Sequence, residues 1–296
     1  MQQMGVAGYG LPATVVGNTN TDVVQVLALV NGFGGELARE HDWQAQDIEY
    51  RFTTVYYQYT ATTVSGSTSL TALSSTTGLT TNPTYFTVTG TGINQDTQLV
   101  SVNAGASTAV MGQAASASGT VTLTFAQSMY DLPTGYDRQV NRTHWDKSKH
   151  WEMLGPETAQ QWQWLKSGWI STGPRIRYRI LGNVFQIWPA LSSNDYLGFE
   201  YITKSWILAT AAANPSKSAF TVDTDTTIFP DPLMIALIKR AYFQAKGFAP
   251  IWDEAYITQR DIAKATDAGA RTLSFAPRPS DILISANQIP DSGYGS

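Results

Sequence analysis

The chain has 296 residues, 43% of them hydrophobic and 11% aromatic, enough to build real cores in one large domain or two ordinary ones. Only 14% are charged, against roughly 25% in ordinary soluble domains; the net charge is −4 and there is no cysteine. This balance gives no long-range attraction for nucleic acid or acidic membranes, and the missing cysteine excludes disulfides, thiolate metal sites and a cysteine nucleophile.

Residues 1–20 are Gly-rich, contain Pro12 and show neither helical nor alternating patterning, so they read as an extended arm. No basic segment followed by a sustained apolar run is present, and no apolar stretch approaches the ~18 residues of a membrane span. Neither a signal peptide nor a span is expected. Asn20 or Thr21 can cap a helix whose apolar face is Val23, Val26, Leu27, Val30, Phe33 and Leu37, ending near residues 41–43. Gly32, Gly34 and Gly35 should weaken it.

After Tyr50 the pattern turns strand-like at Phe52, Val55, Tyr56, Tyr57 and Tyr59, and the composition then changes abruptly. Between Thr60 and Gln127 the only charged residue is Asp96. Short β-branched runs at 67–73, 85–89, 97–102, 110–111 and 120–125 alternate with Gly, Asn and Pro turn signals. These predict an all-β module, a sandwich or barrel, over residues 60–127. Charge and tryptophan return together beyond Ser128, as they should if this module is inserted in a parent domain.

Residues 131–151 read as a basic loop. Pro156 and Glu157 suit the start of a helix burying Trp162, Leu165 and Trp169. Residues 175–180 and 184–188 flank Gly182-Asn183, a strong hairpin signal, and 197–202 is a further strand expected to run antiparallel to its predecessor. Pro230 and Pro232 open a hydrophobic helix ending at Gly247. A last helix over 251–267 should turn Ala255, Ile262 and Ala263 inward. Residues 268–296, with Pro277, Pro279 and Pro290, read as an extended tail. Arms of this kind are ordered only when tied down, and neighbouring chains are expected to hold both, which points to an assembly.

Chemistry is sparse. No phosphate-binding loop occurs, and the glycine string at 32–35 lacks the third glycine of a dinucleotide site and follows no strand. His41, His144 and His150 read as surface or interface imidazoles and do not specify a metal site. There is no nucleophile elbow. Glu36, Glu40, Asp42, Glu152 and Glu157 could supply paired carboxylates for a cell-wall hydrolase, although nothing in their spacing favours it. The stripe Arg175, Arg177 and Arg179 reads as a solvent- or subunit-facing strand edge. One site-like constellation stands out: Arg138, Arg142, Lys147 and Lys149, interleaved with His144, Trp145 and Trp151. Arg and Trp are enriched in protein interfaces, so this is a candidate partner surface, with phosphate or base contact as the alternative. Phe275, Ile282, Leu283 and Ile284 of the tail are candidates to reach neighbours. No cofactor, no metal and no enzymatic activity are expected.

Several short motifs resemble the head-to-tail adaptors of short-tailed phages, also called tail accessory factors or connectors. They are Glu36-Leu37 with Asp42-Trp43, Asp131-Leu132-Pro133, Arg179-Ile180 followed by Gly182-Asn183 and Pro189, Phe199-Glu200-Tyr201-Ile202 with Trp206, and Phe229-Pro230 leading into residues 233–247. They cover about 21–57 and 128–267. Residues 73–79, 88–93 and 121–125 resemble a β-module common in phage proteins, from which Asn82-Pro83-Thr84-Tyr85 departs where a glycine is usual. The resemblance implies an α+β adaptor core, helical with a β-hairpin, over 21–59 and 128–267, interrupted by the β domain at 60–127. It further implies a homo-oligomeric ring, typically a dodecamer, that docks on the portal protein and offers a surface to a tail nozzle or tail tube protein. In such a ring packaged DNA passes through the lumen without sequence-specific binding, and the protein resides in the virion, made in the host cytoplasm. A receptor-binding or decoration role for the β module is the alternative.

Overall fold

The computed structural model describes residues 12–167 and 175–267. In chain order its elements are α1 (Thr21–Glu40), β1 (Asp47–Thr53), β2 (Tyr56–Thr63), β3 (Ser69–Leu70), β4 (Phe86–Thr89), β5 (Thr97–Asn103), β6 (Thr108–Met111), β7 (Gly119–Gln127), β8 (Met129–Asp131), β9 (Tyr136–Gln139), β10 (Trp145–Asp146), β11 (Trp151–Glu152), α2 (Ala159–Lys166), β12 (Arg177–Leu181), β13 (Val184–Trp188), β14 (Tyr196–Thr203), β15 (Ile207–Leu208), β16 (Thr226–Thr227), α3 (Asp231–Ala245) and α4 (Asp253–Asp267). The class is α+β with a β-rich part. The described residues form two compact units, one of 12–49, 135–139 and 200–267, the other of 50–134, 140–167 and 175–199.

The first unit is built on α1, α3 and α4. Asn20 caps α1 by accepting the Asp22 N–H at 2.9 Å, satisfying one of the donors that a helix start leaves unpaired. Leu37, Trp43, Trp206, Phe229, Leu233, Leu237, Tyr256 and Ala263 belong to its buried core. A glycine run inside a helix costs stability, but here it has a use: a Cβ on Gly34 would lie 2.4 Å from the Trp206 ring. Gly34 therefore lets a buried indole sit directly on the α1 backbone. In α4 Tyr256 and Ala263 are buried, whereas Ile262 is 51% exposed and does not turn inward. The period of this short helix let Tyr256, with its longer side chain, claim the inner face. Val15 and Val16 donate their N–H groups to Asp223 Oδ1 at 3.0 and 2.7 Å. This stretch of the expected arm is thus held by its own chain. Residues 1–11, and the tail 268–296 with Phe275, Ile282, Leu283 and Ile284, lie outside the described residues.

The second unit contains a six-stranded antiparallel sheet in the order β2-β7-β4-β5-β6-β3. Its two edges meet where Thr62 N–H donates to Thr71 O at 2.8 Å and Thr71 N–H returns to Thr62 O at 3.1 Å, which makes a nearly closed barrel. Closure removes the exposed edges through which sheets aggregate. Alternate residues point inward, so Ala61, Leu70, Val88, Leu99, Leu123 and Phe125 are fully buried, and Leu79 joins them from a turn. The strands predicted at 85–89, 97–102, 110–111 and 120–125 reappear as β4 to β7 with small changes at their ends, whereas the run expected over 67–73 is a strand only at Ser69–Leu70.

Beyond the barrel, β12 and β13 form the predicted hairpin, with Leu181 opposite Val184 and Gly182 at φ +61, and β8 joins β13. Two expectations need correction. The stretch 131–151 is not simply a loop, because β9, β10 and β11 lie in or at the end of it; strands of two to four residues are too short to show an alternation. Strand β14 does not join this hairpin; its residues 197–198 pair with β10. Reciprocal bonds draw its start elsewhere, with Thr54 N–H to Asp195 O at 2.9 Å and Asp195 N–H to Thr54 Oγ1 at 2.8 Å. Helix α2 also starts later than Pro156 suggests. Its N-cap is Thr158, in a capping box with Gln161, since Glu157 is engaged by Arg177 at 2.5 Å. Trp162 and Leu165 are buried as expected, and Trp169 lies outside the described residues.

Candidate functional site

The basic constellation is divided between the two units. Arg138 belongs to the first unit, on β9, where its guanidinium is ion-paired with Asp42 and, at 3.2 Å, with Asp137. The others belong to the second unit. Asp146, at the end of β10, is buried and accepts the N–H groups of Ser148 and Lys149 at 3.0 and 3.1 Å, which folds the basic segment into a tight turn. Lys149 reaches Asp195 at 2.7 Å. The Lys147 stem lies over Gly198, where a Cβ would come within 2.9 Å of its Cε. Trp151 is half-buried opposite Asp146, Trp145 is 42% exposed, and Arg142 is exposed with φ +62. Lys147, Lys149 and Trp151 thus share one turn, with Trp145 and Arg142 as its exposed neighbours.

His144 overturns its reading as a surface imidazole. It is 1% exposed and stacks on Tyr178, Phe199 and Phe185 with ring centroids 4.0, 5.0 and 5.8 Å away. Neither ring nitrogen has a hydrogen-bond partner, and burial pushes its pKa down to about 4. It is a neutral flat ring inside an aromatic stack. The arginine stripe is likewise more engaged than expected of an edge. Arg177 pairs with Glu157, while Arg179 donates to Gln186 at 3.0 Å and lies 5.0 Å from the Trp162 ring. Burial lowers the Arg179 pKa.

Three of the five carboxylates considered for hydrolysis hold cations: Asp42 with Arg138, Glu157 with Arg177, and Glu40 with Arg260 and Lys264 at 3.0 Å each. Burial opposes ionisation of Glu40, but the Lys264 hydrogen bond and the charges of Lys264 and Arg260 outweigh it and hold the carboxyl below its ordinary range. Glu40 borders a cavity of about 530 Å³ lined also by Phe33, Leu37, Arg240 and Tyr256. Sequence reasoning missed this cavity because α1 lies far in the chain from α3 and α4, which complete its walls. The α3–α4 turn was missed too: Phe248 and Ile251 are 60% and 64% exposed beside a 240 Å³ pocket. Among the described residues no group of His, Asp and Glu could hold a metal ion, and no helix is long and apolar enough to cross a membrane.

The chain is therefore an α+β protein in which Arg138, Lys149, Arg177, Arg260 and Lys264 are each paired with an acidic side chain. The family profile described as SU10 adaptor protein matches residues 96–278, and the chain belongs to that family of phage adaptors. The matched segment runs from β5 of the barrel through α4 and beyond the described residues. No curated protein matches the chain.

Proposed function

We propose that this protein is a structural virion component, a head-to-tail adaptor that forms a ring on the portal, extends the DNA channel and carries the attachment surface for the tail. The observation that carries the reading is the adaptor family match over 96–278. It is supported by the pairing of several basic side chains with acidic ones of the same chain, Arg138, Lys149 and Arg177 among them, which leaves much of the specificity to surface shape and apolar contacts. On this reading residues 60–127 are an insertion in the adaptor core, packaged DNA passes through the lumen without base-specific contact, and the chain performs no catalysis. Turn residues Lys147, Lys149 and Trp151, with Arg142, serve partner contacts, as do Arg138 and the tail residues Phe275, Ile282, Leu283 and Ile284.

The test is to mix the purified full chain with its portal and examine the product by native mass spectrometry and negative-stain electron microscopy. A closed ring seated on the portal, of about twelve copies by the resemblance, is the expected result. A stable monomer that ignores the portal and is found instead at the fibre tips of the particle would overturn the adaptor role and favour a receptor-binding one through the barrel.

A further inference from the structure

The barrel sequence carries one charged side chain, and the structure places it where it does most. Asp96 sits at the β4–β5 turn with φ +57, its side chain only 25% exposed, and its Oδ1 lies 2.8 Å from Lys166 Nζ at the end of α2. The Lys166 side chain is 16% exposed. Its ammonium stands 5.5 Å from the Trp188 ring and 5.9 Å from the Trp162 ring, both indoles being buried. Trp162 also receives the guanidinium of Arg179. Two cations therefore meet one aromatic cluster, and Asp96 is the anion that faces it.

An exposed ion pair contributes little, because holding two long side chains in one geometry costs entropy and water screens the charges. Here the lysine stem is already confined by two tryptophans, and the aspartate by a turn. Helix α2 is itself fixed by its capping box and by the Glu157–Arg177 pair in front of it. Hydrogen bonds also join the barrel to its surroundings near the two linking strands: Tyr85 Oη to Asp131 at 2.6 Å, Thr87 Oγ1 to Ser128 at 3.0 Å and Ser128 N–H to Tyr85 O at 2.9 Å. Attachment at the linkers alone leaves a barrel free to swing about them. A second attachment at the opposite end of β4 fixes its attitude.

We infer that the Asp96–Lys166 pair, seated on Trp162 and Trp188, is a latch that locks the barrel onto α2 in one orientation, and that its release frees the barrel to pivot on its linkers. The inference does not depend on the adaptor reading. It predicts that this single charge sets the direction in which the otherwise uncharged module presents itself to any partner.

Because the chain has no cysteine, spin labels can be placed at Ser101→Cys on β5 and Gln160→Cys on α2, both exposed positions, and the distance between them read by pulsed electron spin resonance. The full chain should give one narrow distance distribution. Asp96→Asn removes the charge and keeps a residue that tolerates positive φ, and Lys166→Met keeps the stem without the charge. Each should raise the undocked, broad population by about tenfold or more, while Lys166→Arg stays narrow. The double variant should be no broader than either single one, with thermal melts showing the barrel still folded. Narrow distributions in both single variants, or a double variant whose effect is the sum of the two, would sink the latch.

Discussion

A buried histidine with no hydrogen-bond partner is an expensive residue, and its cost depends on pH. His144 is held neutral by burial, with a pKa of about 4 against an ordinary 6.5. The unfolded chain takes up a proton as pH falls below 6.5 while the folded chain does not, so stability from this group is complete above 6.5, falls between 6.5 and 4, and levels off below 4. The loss is about 3 kcal/mol, from 1.36 kcal/mol per pH unit. Replacing the ring by phenylalanine preserves the stack on Tyr178 and Phe199 and removes two unsatisfied nitrogens. His144→Phe is expected to be at least as stable as the parent at pH 7.5 and to lose the acid dependence between 6.5 and 4 in urea denaturation. A variant that is less stable at pH 7.5 would mean that the imidazole nitrogens are satisfied in solution.

At the level of elements, one carboxylate ties two helices. Tyr256, Arg260 and Lys264 recur every four residues along one face of α4, and all three reach Glu40 in the last turn of α1. These groups are about a quarter to a third exposed, so the network is partly screened. Glu40→Gln should cost about 1 kcal/mol in low salt, less in high salt. Because the folded pKa is lowered, that stability is present above the ordinary carboxylate range and is lost as pH falls through the folded value. An unchanged urea midpoint in low-salt buffer at pH 7 would show that the network contributes nothing. Nothing in the sequence marks Glu40 apart from its neighbours Glu36 and Asp42, since its partners are more than 200 residues away. What was legible is local: the Asn20 cap and apolar stripe of α1, the Gly182-Asn183 turn, and the β-branched runs of the barrel between their glycines. What was not legible depends on distant partners. Pro156 suggested a helix start that Arg177 forestalls by taking Glu157, and no local signal placed residues 197–198 beside β10. The basic segment could be recognised as a constellation, yet not that Asp146 and Asp195 would bind up its backbone and Lys149.

For the whole molecule, the distribution of titratable groups separates the cores. The barrel core of Leu70, Leu79, Val88, Leu99, Leu123 and Phe125 has no titratable side chain within it, and Asp96 is the only charge between residues 60 and 127. The aromatic stack around His144 belongs to the rest of the second unit. Protons should therefore loosen the stack and leave the barrel untouched. Tryptophan emission reports the rest of the chain, because all nine tryptophans lie outside residues 60–127. Urea unfolding at pH 7.5 and at pH 4.5 should move the tryptophan-detected midpoint to lower urea in acid. The barrel transition, followed by hydrogen exchange of the backbone amides of β2 to β7, should stay where it was. Coincident transitions at both pH values would mean that barrel and stack unfold as one cooperative body. Separate transitions would mean that the barrel is energetically its own domain.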